Sequence, residues 1–384
     1  MGFYERLGVR PLINAATTFT AIGGSLMPPE VLDAMRDAAG SFVDMHELHL
    51  AAGRRLAELT RNEAGYVAPG CAAAMVLALL GIRTGGRPDG LSQLPGRDEA
   101  PYEVVMHAAH RIPYDTTLAL AGIRVRQIGN VIQTFEWELE AAITERTAAV
   151  LYVAGSHLPD VALPLPTVVR IARERGVPVL VDAAAQLPPA SNLWRFTREL
   201  GADLVAFSGG KALRGPQASG LLLGRADLVE AARRSGAPFQ SWGRALKAGK
   251  EEIAGLVRAV ELFVARDEAW LEREQRAVLE DWRGIALGAE GVHAELEDAN
   301  EAGQPVPRLR IELDDPERAA AALAAFDGFR PRVAVLPYRV QGSPRGFWLG
   351  ADQLAPGDER VVAAALEHAL SIHPDIHPDE GDRS

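Results

Sequence analysis

The chain has 384 residues, 48% of them hydrophobic and 24% charged, with a formal net charge of −11. That length and composition predict a large core and two domains, while the acidic balance, without any long basic run, excludes a nucleic-acid-binding surface. A single cysteine, Cys71, excludes an internal disulfide and a multi-cysteine metal site. With no signal segment and no apolar run of membrane length, a soluble cytoplasmic protein is expected.

In chain order, residues 1–51 read as an N-terminal arm, with a short strand over 12–15, a Gly23-Gly24 turn and a helix over 30–39. Asp44, His46, Glu47 and His49 have metal-ligand chemistry, but His46 and Glu47 are adjacent and cannot share a helical face, so no metal site is expected. From Gly65 strands alternate with helices, the pattern of a parallel sheet covered on both faces. Strands are predicted at 66–68, 103–106, 125–128, 148–153 and 177–181. Helices are predicted at 71–82, 110–121, 134–143 and 164–175. A large domain over 52–245 follows from this block. Beyond it come a long helical region at 246–282, strands at 306–313, 333–336 and 347–350, and helices at 316–326 and 357–370, which predict a small α+β domain over 246–372. The proline-broken end, 373–384, reads as a frayed tail whose two histidines lack further zinc ligands.

The chemistry centres on the stretch from Gly201 to Gly224. An apolar run after Asp203 makes a buried strand, Gly209 and Gly210 let the backbone turn, and Lys211 follows before the next apolar strand. An ammonium between two core strands is costly unless it has a task. The task that fits is a Schiff base with a carbonyl, that of pyridoxal 5'-phosphate. Such a site needs three further parts. A phosphate cradle is offered by Gly70, Cys71, Ala72 and Ala73, where a strand end turns into a helix, although an ordinary βα turn has the same pattern. An acid partner for the pyridine nitrogen is offered by Asp182 after its strand, although a helix N-cap would look alike. A flat group for the ring face is offered by His110, with His107 behind it. Ser208, three residues before Lys211, is a plausible further cofactor ligand.

With these residues in place, the segments Val181-Asp182-Ala183-Ala184-Ala185-Gln186-Leu187-Pro188-Pro189 and Ser208-Gly209-Gly210-Lys211-Ala212-Leu213-Arg214-Gly215-Pro216-Gln217 resemble the selenocysteine synthase branch of the fold type I pyridoxal phosphate enzymes. The likeness extends over about residues 1 to 370 and includes His110-Arg111-Ile112-Pro113 and Ser156-His157. It implies an α/β, aminotransferase-like fold with a mainly parallel sheet in the large domain. It also implies a homodimer or higher homo-oligomer with sites at the subunit interface, so that Gly215 and Gln217 serve a neighbouring cofactor. The sequence departs from the selenium transferases in having no tRNA-gripping N-terminal domain and in being acidic, so tRNA is a poor partner. It looks more like the shorter relatives that act on small amino compounds, such as the glucosaminate phosphate ammonia-lyases.

The expected activity is therefore a lyase reaction on a small amino acid or amino-sugar acid, by α-proton abstraction and α,β-elimination with Lys211 as the mobile base. Ser156, His157, Arg244, Arg339 and Arg345 are candidates for the substrate's acid groups, since arginine pairs bidentately with carboxylate. An aminotransferase or racemase shares the first steps and stays an alternative. A catalytically idle scaffold of the same fold would have no need of Lys211 and Asp182.

Overall fold

The computed structural model describes residues 2–87, 102–155, 158 and 160–372. The chain forms two compact units, one of residues 25–266 with 301–304, the other of 1–24, 267–300 and the chain from 305 onward. Strands are numbered in chain order: β1 (Leu12–Asn14) lies in the smaller unit. The larger unit holds β2 (Ala64–Ala68), β3 (Tyr102–His107), β4 (Ile123–Ile128), β5 (Thr147–Val153), β6 (Val179–Asp182), β7 (Leu204–Ser208) and β8 (Gly220–Gly224).

These seven strands make one sheet in the order β2-β8-β7-β6-β5-β3-β4. The run from β7 to β4 is parallel, and only β8 runs antiparallel to both its neighbours. Both faces are apolar, as strands buried on two sides require. Val105, Val150, Val181 and Val205 pack on one face with Leu56, Leu256 and Val260. Val104, Met106, Leu151 and Leu180 pack on the other with Leu77 and Leu79. The helix Cys71–Thr84, which carries those two leucines, is apolar around its whole circumference because it is buried on every side. At Gly81 an added Cβ would stand 2.6 Å from the Ala231 carbonyl carbon, so the helix Ala226–Ser235 crosses it at backbone contact.

In the smaller unit β9 (Val292–Glu297), β10 (Arg308–Leu313), β12 (Leu336–Val340) and β13 (Ser343–Gly350) form an antiparallel sheet in the order β12-β13-β10-β9. Between them in the chain, β11 (Arg332–Ala334) pairs in parallel with β1. Leu309 and Ile311 of β10 and Phe347 and Leu349 of β13 face Trp282, Phe326 and Leu366 from three helices. The alternation of β10, with Arg308, Arg310 and Glu312 between buried residues, is that of a sheet covered on one face.

The units divide at 24/25 and 266/267, whereas the sequence suggests boundaries at 51/52 and 245/246. Three interactions account for the difference. Residues 1–24 join the smaller unit because β1 completes a pair with β11. The helices Pro29–Ala39 and Met45–Thr60 belong to the larger unit, where the helix Lys250–Ala265 packs on both. The long helical region breaks at Asp267, whose carboxylate accepts the Trp270 N–H at 2.9 Å and so starts the new helix Glu268–Leu287.

Leu256 on the helix Lys250–Ala265 is fully buried and lies against the loop that carries Lys211, where an added Cβ on Gly209 would meet its Cδ1 at 2.8 Å. Leu256→Ala is expected to destabilise the protein by about 2–5 kcal/mol. Urea denaturation followed by circular dichroism would read this as a lower midpoint.

Candidate active site

In parallel α/β sheets ligands gather at the carboxyl ends of the strands, and four of the sequence candidates converge there. After β2 the chain turns through Gly70, held at φ 111° by the Gly70 N–H donating to the Ala68 carbonyl at 2.9 Å. A Cβ on Gly70 would meet nothing within 4 Å, so its outer side is open. The helix Cys71–Thr84 starts at once, and its first N–H groups lack intrahelical partners. Gly220 of β8 lies directly beneath, where an added Cβ would come within 2.2 Å of the Gly70 carbonyl carbon. Gly220→Ala is therefore expected to displace this turn, costing about 1–3 kcal/mol in stability. A lower thermal midpoint with weakened cofactor uptake in a titration would be the readout.

Asp182 ends β6 and is 5% exposed. Its Oδ1 accepts the Ala184 N–H at 3.0 Å and the Cys71 thiol at 3.8 Å. Burial raises its pKa above the ordinary carboxylate range, opposed by the Ala184 hydrogen bond and then by the charge of Lys211. Lys211 thus lies within electrostatic reach of Asp182. It acts on Cys71 as well, whose thiol burial and Asp182 push well up, keeping it protonated as a donor.

The Lys211 loop is tightly closed. The Gly209 N–H donates to the Ser219 carbonyl, Gly215 N–H to Gly209, and Arg214 N–H to the Lys211 carbonyl, all at 2.8–2.9 Å. Both glycines are required, since a Cβ at Gly209 would stand 2.0 Å from Ser219 Oγ and one at Gly210 2.5 Å from Gln217 Cα. Two residues not singled out from the sequence, Ser25 and Leu26, hold this loop from outside. Ser25 Oγ donates to the Gly210 carbonyl at 3.0 Å, and Arg214, left-handed at φ 53°, donates from Nε to the Leu26 carbonyl at 2.8 Å. The Gly23-Gly24 turn before Ser25 was the one available signal.

His110 lies in a 3₁₀ turn, Ala108–His110, and not in the helix expected from residue 110; that helix starts at Pro113, where the ring sets φ. Its ring is 2% exposed, edge-on to Tyr152 with centroids 4.5 Å apart and 4.8 Å from His107. Burial pulls the His110 pKa down to about 3, helped by His107, and that of His107 to about 4. Tyr152, on β5, was not anticipated.

Of the remaining candidates, Gly215 and Gln217 belong to the Lys211 loop. Arg244 is exposed in the turn that Ser241 begins. Arg339 and Arg345 are exposed on the β12–β13 hairpin of the smaller unit, Arg339 donating to the Gly342 carbonyl. Gly215 is buried and Gln217 exposed. Ser156, His157 and the 373–384 tail lie outside the described residues. Asp44 serves as the N-cap of Met45–Thr60, accepting from the His46 and Glu47 N–H groups, and His49 is buried against Tyr66.

Residues 12–302 match the family profile described as L-seryl-tRNA selenium transferase. The chain belongs to that family. Within it, the chain is 37% identical over 392 aligned positions to a 5'-C-glycyluridine monooxygenase-decarboxylase from a Streptomyces species, covering 96% of this chain and 92% of the relative. It is 30% identical to the D-glucosaminate-6-phosphate ammonia lyase of Salmonella typhimurium, over 95% and 98% of the two chains. The selenium transferase of Desulfovibrio desulfuricans is 29% identical, and the alignment spans only 58% of that longer protein. A solved D-glucosaminate-6-phosphate ammonia-lyase structure superposes with a TM-score of 0.84 at 28% identity, covering 96% of this chain and 98% of the other. Serine palmitoyltransferase from Sphingomonas wittichii, at TM-score 0.57 and 16% identity over 93% and 87%, shares the fold alone. The architecture is that of fold type I pyridoxal phosphate enzymes, as the sequence led one to expect.

Proposed function

We propose that the protein is a pyridoxal 5'-phosphate-dependent lyase that acts on a small amino acid or amino-sugar acid by α-proton abstraction and α,β-elimination. The observation that carries this is that Lys211 acts electrostatically on buried Asp182, whose carboxylate accepts from the Cys71 thiol at the head of the helix Cys71–Thr84. The residues fit the cofactor on two counts. The open side of Gly70 leaves room for a phosphate against the unpaired N–H groups of Cys71, Ala72 and Ala73. A carboxylate buried at a cost to its charged form gains by pairing with a protonated pyridine nitrogen. When bound, the cofactor supplies a carbonyl for the substrate amine and a ring that accepts electron density from the breaking α-C–H bond.

The chain's own residues do the rest. Lys211 would hold the cofactor through its carbonyl, and its Nζ would take the α-proton from the substrate. Asp182 holds the proton of the pyridine nitrogen by its charge, with Cys71 and Ala184 fixing the carboxylate. Ser208 would help hold the phosphate, and the His110 ring would cover a face of the cofactor. Ser156, His157, Arg244, Arg339 and Arg345 are proposed for the substrate's acid groups, and Gly215 and Gln217 for the cofactor of a neighbouring copy. We place the enzyme in the cytoplasm as a homodimer or higher homo-oligomer. Among the described residues no helix is long and apolar enough to cross a membrane.

Decarboxylation with oxygen is a second reading, favoured by the 37% identity to the Streptomyces relative against 30% to the lyase. Incubation with amino acids, amino-sugar acids and C-glycyl nucleosides separates them. Ammonia and 2-oxo acid in equal amounts without oxygen uptake support elimination. Oxygen consumption with release of carbon dioxide supports the second reading, and amino transfer or loss of chirality alone would contradict both.

A further inference from the structure

Two backbone amides decide where the protons sit on the paired imidazoles at the carboxyl end of β3. The Leu163 N–H donates to His107 Nε2 at 3.2 Å, and the Val153 N–H donates to His110 Nδ1 at 3.4 Å. A ring nitrogen that accepts from an N–H carries no proton itself, so the proton of each neutral ring must sit on the other nitrogen. That nitrogen is Nδ1 in His107 and Nε2 in His110. Full protonation of either ring would set a donor against a backbone donor and break the contact that orients the ring.

We propose that His107 and His110 form a tautomer-locked neutral pair, in which His110 is a permanent Nε2–H donor that takes no part in proton transfer and His107 is the residue that positions it. The lock rests on protein contacts alone; only the assignment of the His110 ring to the cofactor face depends on the proposed function.

The lock has one cost: the His107 Nδ1 that carries the proton is buried without a hydrogen-bond partner among the described residues. Tyr152 of β5 lies edge-on to both rings, with centroids 4.5 Å from His110 and 6.0 Å from His107. Glu138 acts on His107 in the direction that favours its cation, and Asp160 acts on Tyr152. Asp182 stands on the neighbouring strand opposite Val153, with Lys211 within electrostatic reach of it. Burial, and for His110 the second imidazole, outweigh these carboxylates. Proton traffic then falls to Lys211, while His110 keeps its Nε2 proton.

The test is long-range proton–nitrogen NMR on cofactor-loaded protein labelled with ¹⁵N at histidine, from about pH 5 to 9, the range in which an ordinary imidazole titrates. His107→Gln and His110→Gln variants assign the two rings. The expected result is a proton on Nδ1 in His107 and on Nε2 in His110, with neither ring titrating. A titration midpoint near the ordinary value of about 6.5 for either ring, or the opposite tautomer, would overturn the lock. The positioning role has its own readout. His107→Leu leaves the Leu163 N–H without its acceptor and is expected to shift and broaden the His110 signals. His107→Gln, whose Oε1 can accept in place of Nε2, is expected to restore them. His110 signals unchanged in the leucine variant would contradict it. The same spectra on apoprotein, with these tautomers present but no cofactor uptake on titration, would overturn the functional reading and leave the lock standing.

Discussion

Lys211→Ala is expected to lose the yellow absorbance of lysine-bound cofactor and to fall at least about 10³-fold in turnover, because one side chain supplies both the covalent partner and the mobile base. The fold should survive. Lys211 is half-buried in a loop closed by backbone bonds to Ser219, Gly209 and Lys211's own carbonyl, none of which needs the ammonium. Lys211→Arg sharpens the experiment, since it keeps a positive charge beside Asp182 but cannot take the carbonyl. Both variants should therefore be inactive, with the arginine form closer to the parent in thermal midpoint. An active Lys211→Arg enzyme would show that the charge, and not the amine, is what the site uses.

Asp182→Asn is expected to split stability from activity. Without cofactor, the raised pKa of Asp182 means that its charged form is disfavoured by folding. A folded-state pKa above the unfolded one makes a carboxyl cost stability as pH rises through that interval, and the cost remains at neutral pH. An uncharged amide of the same shape removes it, so the apo variant should gain about 1–2 kcal/mol, the usual yield of relieving a functional site. In a chain of this size that is a rise of a few degrees in thermal midpoint. Turnover should fall by about 10²–10³, the usual loss when one preorganised electrostatic partner is removed. Differential scanning calorimetry on apoprotein, paired with steady-state kinetics, reads both. A variant that is less stable as apoprotein, or that keeps full turnover, would contradict the assignment.

Much of the site was legible because its parts are local in the chain. The apolar run before Asp182 marks a buried strand, and the acid at its end sits where parallel sheets hold ligands. Gly209 and Gly210 announce a loop too tight for side chains, and the packing against Ser219 and Gln217 gives the reason. What was not legible depends on contacts between distant segments. Ser25 and Gly210 are 185 positions apart, and nothing around Ser25 points to its carbonyl partner. Tyr152 reads as one more residue of a buried strand until His107 and His110 lie against it. The smaller unit was blurred for a related reason. Strand β9 went unread although Val292, Ala294 and Leu296 alternate with polar residues, since its apolar face is made by the helix Glu268–Leu287 and by β10. The long helical region expected over 246–282 begins only at Lys250 and is divided at Asp267, where the cap geometry starts a second helix.

The central claim is that Lys211 carries the cofactor, and the composition makes it easy to test. The chain has three lysines, Lys211, Lys247 and Lys250. Lys247 is exposed, and Lys250 is held by the Ala38 carbonyl and Glu251. Borohydride reduction of pyridoxal phosphate-loaded protein, followed by proteolysis and mass spectrometry, fixes the cofactor to whichever lysine holds it. Stoichiometric labelling of Lys211, with Lys247 and Lys250 unmodified, is the predicted result. Labelling of Lys247 or Lys250 in place of Lys211, or no stable label at all, would contradict it.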